Sequence, residues 1–234
     1  RLVPLPAVRI VLVRPETSAN VGACARVARN TGAAGLDLVA PGDWKTVESW
    51  RTAWGAQDVL EQARILPDLA TALSGCARAV ALTGKRNRNA PPLDVREAAQ
   101  EIAALGEGET AALVFGPETS GLTQAELALC GRTAIIPTHP FQPSLNLSHA
   151  VMVASYEVFR AGRHADAAPR RATHDEKDRM LALWREGLLR LRALPDQNTD
   201  GYFREWIELF ARADLTPKEV KLLEHVARKM IDRE

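Results

Sequence analysis

Residues 115–123 read FGPETSGLT and follow directly on the apolar run AALV at 111–114. A glycine-rich turn after a strand ordinarily cradles phosphate, using a lysine or a G-x-G-x-x-G spacing. This turn has neither, and it carries a carboxylate, Glu118. Gly116 and Gly121 permit close backbone approach or a positive φ, and Pro117 stiffens the turn. Thr123 with Glu126 then fits a helix N-cap with a reaching N3 carboxylate. Strand, glycine turn and capped helix together are a unit of an α/β fold, with a turn suited to something other than phosphate.

Working outward, the same grammar repeats. VRIVLV (8–13), LDLVA (36–40), AVAL (79–82), AALVF (111–115) and TAIIP (133–137) are short, rich in Val, Ile and Leu, and show little alternation, which predicts buried parallel strands. Helical stretches lie between them. Asp94 with Glu97 repeats the capping box, and the segment 20–31 ends at Gly32, a good C′ residue, with Asn20 as its expected N-cap. The prediction is an α/β domain over 1–162. A basic linker, 163–172, follows, and a helical extension over 173–234. In the extension, Thr173 with Glu176 opens a helix to about residue 194. A second helix spans 199–212, and a third starts at Thr216, with Pro217 at N1 and Glu219 at N3. Such a small bundle is marginal alone, so it is expected to pack on the α/β domain or on a second subunit. Trp184, Tyr202, Phe203, Trp206 and Phe210 suit its core.

Composition narrows the function classes. The 234 residues are 46% hydrophobic and 25% charged, with a net charge of +1, so any nucleic-acid footprint must be a local patch. GKRNRN at 84–89 is one such patch, and Arg160, Arg163, Arg170 and Arg171 form another; each reads equally as solvated surface. No apolar run approaches the ~20 residues of a membrane helix, and no signal peptide is expected. Cys24, Cys76 and Cys130 are odd in number and widely spaced, without a C-x-x-C pair. They are expected as reduced, small apolar residues in a cytoplasmic protein, with no metal site.

Two further motifs stand out. In NVGACARVARN (20–30), Gly22, Arg26, Arg29 and Asn30 are near-neighbours on a helix. The segment is either an amphipathic helix with solvated arginines or a helix presenting an arginine to a ligand, since a guanidinium grips phosphate bidentately. In IIPTHPFQPSLNLSHA (135–150), a strand ends in a proline-stiffened loop, and Ser144, Asn146 and Ser148 crowd the entrance of an apolar helix. Helix capping accounts for Ser144 and Asn146 individually, but not for three glycine- or proline-rich strand ends in one chain. In open α/β sheets ligands sit beyond the C-terminal strand ends. Here those ends offer apolar walls and backbone groups with few charges, which suits a nucleoside better than a polyphosphate.

Taken in order, Asn20-x-Gly22-x-x-x-Arg26, Phe115-Gly116-x-Glu118-x-x-Gly121-Leu122 and Ser144-Leu145-Asn146-x-Ser148-x-Ala150 resemble the three motifs of the SpoU (TrmH-type) RNA methyltransferases. The resemblance implies the SPOUT fold, a parallel sheet whose C-terminal part is tied into a deep trefoil knot, an exception to unknotted topology. It implies S-adenosylmethionine held in that knot, a homodimer, and methylation of a ribose 2′-oxygen of RNA. Within the family, GAQDVL (55–60), TGKRNR (83–88) and the helical extension resemble the TrmJ branch, which acts on nucleotide 32 of the tRNA anticodon loop. Gly84-Lys85 and Ser148-His149 depart from that branch's pattern.

The resemblance assigns the cofactor to Leu82, Thr83, Gly84, Phe115, Gly116, Pro117, Gly121, Ile135, Ile136, Pro137, Ser144, Leu145, Asn146 and Ala150, and catalysis to Arg26 with Asn20, Glu118, Ser144 and Asn146. Arg26 is expected to clamp an RNA phosphate rather than act as a base, because a guanidinium does not readily lose its proton. Glu118 is expected to orient backbone or Arg26, with a general-base role as the alternative. Arg26, Arg29, Lys85, Arg86 and Arg88 are expected to meet RNA. Rival readings are a SpoU enzyme for ribosomal RNA or another tRNA position, and an inactive RNA-binding protein on the same fold. A Ser-His-acid hydrolase lacks its G-x-S-x-G elbow, and a Rossmann methyltransferase lacks a glycine turn after the first strand, where Arg14-Pro15-Glu16 stands.

Overall fold

The computed structural model describes residues 7–84, 91–162, 170–195 and 197–232. Among them, seven strands form one sheet: β1 (Ala7–Val13), β2 (Gly35–Val39), β3 (Arg64–Leu66), β4 (Arg78–Leu82), β5 (Leu93–Asp94), β6 (Thr110–Phe115) and β7 (Gly131–Ile135). Their order is β3-β2-β1-β6-β4-β7-β5, and every pairing is parallel. Five are the strands read from the sequence. β3 and β5 are additions at the two edges, of three and two residues, too short to carry a hydrophobic period of their own.

Continuous apolar runs need two buried faces, and the helices provide them. On the α/β part these are α1 (Ser18–Thr31), α2 (Val47–Thr52), α3 (Gln57–Glu61), α4 (Leu69–Leu73), α5 (Val95–Ala103), α6 (Gln124–Cys130) and α7 (Leu147–Ala161). The strand period of two divides β1 between two cores. Ile10 and Leu12 pack with Val21 of α1, Ile102 of α5 and Val151 of α7. Val11 and Val13 pack with Leu73 of α4 and Cys130 of α6. Each fully buried aliphatic side chain contributes about 1.5–3 kcal/mol relative to exposure.

The helix starts follow the capping chemistry, with one exception. Asp94, Thr123, Thr173 and Thr216 each close the expected box. Asn20 does not cap α1: the cap sits three residues earlier, at Thr17, with no side-chain cap bond. Asn20 instead lies within the first turn, nearly buried, and its side chain serves tertiary contacts.

The extension forms α8 (His174–Arg190), α9 (Thr199–Arg212) and α10 (Pro217–Ile231). α8 stops about four residues before its predicted end. Ala193 N–H donates to the Leu188 carbonyl and Arg192 N–H to that of Leu189, with Arg192 at φ 52. That is a Schellman closure with an arginine where glycine is usual, so the sequence carries no stop signal. Trp184 stacks on Trp206 at 5.2 Å, Phe203 and Phe210 are buried, and Tyr202 is half exposed, outside the aromatic core assigned to it.

The extension packs against the N-terminal ends of the sheet's strands. Arg78, at the start of β4, pairs with Asp214 and with Glu101 at 3.2 Å. Arg132, in β7, bonds Glu101 at 3.2 Å and the Arg212 carbonyl. Glu109, just before β6, accepts from the Arg171 N–H. Gly131 lies against the backbone of Ala211 so closely that a Cβ there would overlap its carbonyl.

Candidate active site

The opposite ends of β4, β6 and β7 enclose a cavity of about 310 Å³, within the size range of small-molecule sites. Leu82 ends β4, with Thr83 and Gly84 after it; Phe115 ends β6, with residues 116–122 after it; Ile136, Thr138, Pro143, Ser144 and Leu145 follow β7. Leu147 and Ala150 of α7 close it. The glycine turn owes its shape to backbone crowding. A Cβ on Gly116 would meet the Leu122 nitrogen and, at 2.5 Å, the Gly121 carbonyl carbon; Gly121 itself holds φ 69. Glu118 is the charged residue in the lining.

Of its two expected partners, Glu118 bonds backbone and not Arg26. Its Oε2 accepts from the Glu16 N–H at 2.8 Å, and its Oε1 accepts from the Thr17 N–H at 3.1 Å and from Asn20 Nδ2 at 2.8 Å. Asn20 Oδ1 in turn accepts from Asn146 Nδ2 at 3.0 Å. Asn146 caps α7, its Oδ1 accepting from the Ser148 N–H at 2.9 Å and Ser148 Oγ at 2.8 Å. One hydrogen-bonded chain thus joins a residue from each of the three sequence motifs and ties the start of α1, the glycine turn and the start of α7 together. Burial pushes the Glu118 carboxyl up, but the bonds from Asn20 and from backbone N–H groups outweigh it and hold the carboxyl below the ordinary glutamate value. A carboxylate so stabilised is a weak base. Two further links brace the turn: Thr119 Oγ1 donates to Glu16 at 2.5 Å, and Arg14 forks onto Glu126.

Of the expected cofactor set, Leu82, Thr83, Gly84, Phe115, Gly116, Pro117, Gly121, Ile136, Ser144, Leu145 and Ala150 line the cavity. Ile135, Pro137 and Asn146 do not. Thr119, Ser120, Leu122, Thr138, Pro143 and Leu147 line it without having been expected; their place between expected neighbours is the signal that could have found them. Arg26 and Arg29 lie outside the cavity on α1. Arg26 is exposed and makes no hydrogen bond or ion pair with another described residue; Arg29 pairs with Asp58 at the surface. Lys85, Arg86 and Arg88 fall outside the described residues. Gly22, expected beside Arg26 on a presenting face, serves packing: a Cβ there would overlap the Ser49 carbonyl of α2. The cysteines are buried and free, and burial raises each thiol, Cys76 to about 11, so none is a ready nucleophile.

The model of the SpoU rRNA methylase family matches residues 7–156. The chain belongs to the SpoU methylase family. The tRNA (cytidine/uridine-2′-O-)-methyltransferase TrmJ of Salmonella typhimurium is 33% identical over 229 residues, 94% of each chain. The tRNA (cytidine/uridine/adenosine-2′-O-)-methyltransferase TrmJ of Pseudomonas aeruginosa is 39% identical over 183 residues, 76% of this chain and 70% of that one. The crystal structure of TrmJ from Z. mobilis ZM4 superposes with a TM-score of 0.80 at 33% identity, covering 97% of this chain and 99% of that one. No described helix is long and apolar enough to cross a membrane.

Proposed function

We propose that this SpoU methylase transfers a methyl group from S-adenosylmethionine to a ribose 2′-oxygen of tRNA, at nucleotide 32 of the anticodon loop. The observation that carries the reading is the cavity beyond β4, β6 and β7, two of whose walls, the glycine turn after β6 and the start of α7, are tied to each other and to α1 by the Glu118–Asn20–Asn146 chain. Its size, apolar walls and strand-end backbone groups fit a nucleoside-bearing sulfonium, with Leu82 to Gly84, residues 115–122 and Ile136 as the walls. When bound, that cofactor supplies an electrophilic methyl group, and no metal or covalent enzyme intermediate is needed. Likeness to tRNA-methylating TrmJ enzymes over 94% of the chain supports tRNA over ribosomal RNA, and position 32 is what the motif resemblance to the TrmJ branch implies.

This chain's own residues position and exclude water. Orientation of this kind is worth up to ~7–11 kcal/mol for well-aligned reactants. Glu118 acts as an orienting carboxylate rather than a base, since both its oxygens are engaged. Ser144, at the cavity rim, meets the target ribose. Arg26 grips the phosphate beside the target and stabilises a developing alkoxide. Because Arg26 lies outside its own chain's cavity, we read the active unit as a homodimer in which Arg26 of one subunit faces the cavity of the other. The insertion of β6 between β1 and β4, with α7 returning onto α1 and α5, supports a trefoil knot formed by the chain from β6 to α7. The domain division at 162 and 173, tRNA phosphate contacts by Lys85, Arg86 and Arg88, and a cytoplasmic location belong to the same reading.

The test is methyl transfer from labelled S-adenosylmethionine to unmodified tRNA transcripts bearing C, U or A at position 32, mapped by nuclease digestion and mass spectrometry, with Arg26→Ala alongside. A 2′-O-methyl at 32, lost in the variant, is the expected result. A ribose methyl elsewhere would discard the position and keep the chemistry. Cofactor binding without transfer to any tRNA would redirect the search to ribosomal RNA; no cofactor binding would favour an RNA-binding protein.

A further inference from the structure

The loop between β7 and α7 carries a side chain that the fold does not use. Phe141 is 92% exposed, the most exposed large hydrophobic among the described residues. An aromatic ring left in water forfeits the stabilisation its burial would give. Loop flexibility does not account for it, because the loop is fastened. The Gln142 N–H donates to the His139 carbonyl at 3.0 Å, closing a four-residue turn with Pro140 at its second position. Thr138 Oγ1 donates to the Pro143 carbonyl at 3.1 Å and closes the base of the loop. The His139 ring supports the Phe141 ring at 5.1 Å, with the Phe141 N–H directed to His139 Nδ1 at 3.4 Å. The two residues that close the base, Thr138 and Pro143, both line the cavity, and Ser144 follows at once. The molecule therefore holds a bare aromatic ring on a rigid turn at the rim of the proposed active site.

We infer that Phe141 is a stacking platform for an unstacked base of the RNA substrate, the target nucleotide's own base. A ribose hydroxyl in a stacked loop can reach the cavity only if its nucleotide is drawn out, and an extruded base needs a π-face to replace the stacking it loses. Stacking tolerates every base, which suits a site that reads the ribose rather than the base edge. Preorganisation by Pro140 and the two hydrogen bonds lowers the ordering cost of the contact. The inference rests on the RNA-methyltransferase reading.

The test uses the full chain with Phe141→Ala, Phe141→Tyr and Phe141→Leu. The RNA is the tRNA transcript that the wild type methylates, with pyrrolocytidine at the methylated position. Base–aromatic stacking of ordinary strength predicts that Phe141→Ala lowers kcat/KM for tRNA about tenfold or more, with an unchanged Kd for S-adenosylmethionine and an unchanged sedimentation profile. Phe141→Tyr should restore transfer, whereas Phe141→Leu, similarly apolar but without a π-face, should not. The fluorescence quenching of pyrrolocytidine on binding should be lost in Phe141→Ala. Full activity in the alanine or leucine variant would overturn the inference. So would an altered cofactor Kd, which would place the ring on the cofactor, or an altered sedimentation profile, which would place it on a second subunit. If the wild type binds no cofactor or transfers no methyl group, it is the parent reading that fails, before Phe141 is tested.

Discussion

The strands β4, β6 and β7 have two ends, and the chain treats them in opposite ways. Their C-terminal ends run into glycine- and proline-rich loops that enclose open space, with Glu118 as the charge in the lining. Their N-terminal ends carry Arg78, Glu109 and Arg132, and these are covered by Asp214 and Arg212 of the helical extension and by Arg171 of the segment leading into it. Both ends rely on polar networks between segments far apart in sequence. At the cavity, the network fixes loops around a space that a ligand can fill. At the other pole, ion pairs fasten a helical layer onto the strand ends, with a glycine, Gly131, allowing backbone contact. Within one chain, then, no described residue of the extension lines the cavity, and variants at the two poles should separate cleanly.

The largest separation is expected from Gly116→Ala. The new Cβ meets backbone atoms of Gly121 and Leu122 rather than a side chain that could swing aside, so the turn itself must move. Affinity for S-adenosylmethionine, measured by calorimetry, should fall at least about a hundredfold, while the packing of the extension stays intact. Retained affinity would show that the turn is not the cofactor's wall.

Glu118→Gln should follow. The amide keeps its carbonyl oxygen but turns its NH₂ toward donors, stranding at least one of the Glu16, Thr17 and Asn20 groups. Hydrogen bonds to charged groups are worth about 1.5–3 kcal/mol, so methyl transfer should fall about tenfold or more with cofactor still bound. The carboxyl is held below its ordinary value in the fold, so in acid the unfolded chain binds the proton first. The stability it adds is present above the ordinary glutamate pKa and is lost as pH falls through the folded value. The stability gap between wild type and Glu118→Gln, measured by urea unfolding, should narrow with acidification.

The same contrast explains what was legible in the sequence. The cavity's strand ends are local features: an apolar run, then Gly or Pro, then a capping residue. FGPETSGLT and the prolines after Ile135 could be read in place, as could the capping boxes at Asp94, Thr123, Thr173 and Thr216. The networks are not local. Asn20 has the chemistry of an N-cap, but its amide spans Glu118 and Asn146, a use that no spacing encodes. Gly22 appears beside Arg26 in sequence, yet its role is set by the Ser49 carbonyl of a different helix. The closed pole was the least visible, because Arg78, Glu101, Arg132 and Asp214 look like scattered surface charges until the sheet brings them together.

Asp214→Asn tests that pole with a smaller effect. Arg78, whose side chain is 7% exposed, would lose its charged partner on the extension but keep Glu101. Removing one partner of a buried pair costs about 3–5 kcal/mol; with Asp214 partly exposed and Glu101 still in place, a loss of about 1–2 kcal/mol is expected. Cofactor affinity should not change. A drop in affinity equal to that of Gly116→Ala would mean that the two poles are coupled and that the separation drawn from the fold is wrong.

The smallest effect is also at the closed pole, and it has the same pH sign as Glu118 but in an alkaline window. Burial, with Arg78, Arg132 and Arg171 nearby and Asp214 opposing, pushes the Lys177 ammonium down to about 8, and its Nζ donates to the Ala213 carbonyl at 3.2 Å. An ordinary lysine titrates near 10.5. Between those two values the unfolded chain holds the proton and the folded chain does not, so Lys177 makes stability rise with pH across that window. In Lys177→Met the rise should flatten, because methionine keeps the apolar stem and removes the titrating head. Urea unfolding at pH 8, 9 and 10 compares the slopes directly. Equal slopes in wild type and variant would mean that Lys177 reaches water and keeps its charge, and that the extension is held on the sheet more loosely than the ion pairs of Arg78 and Arg132 imply.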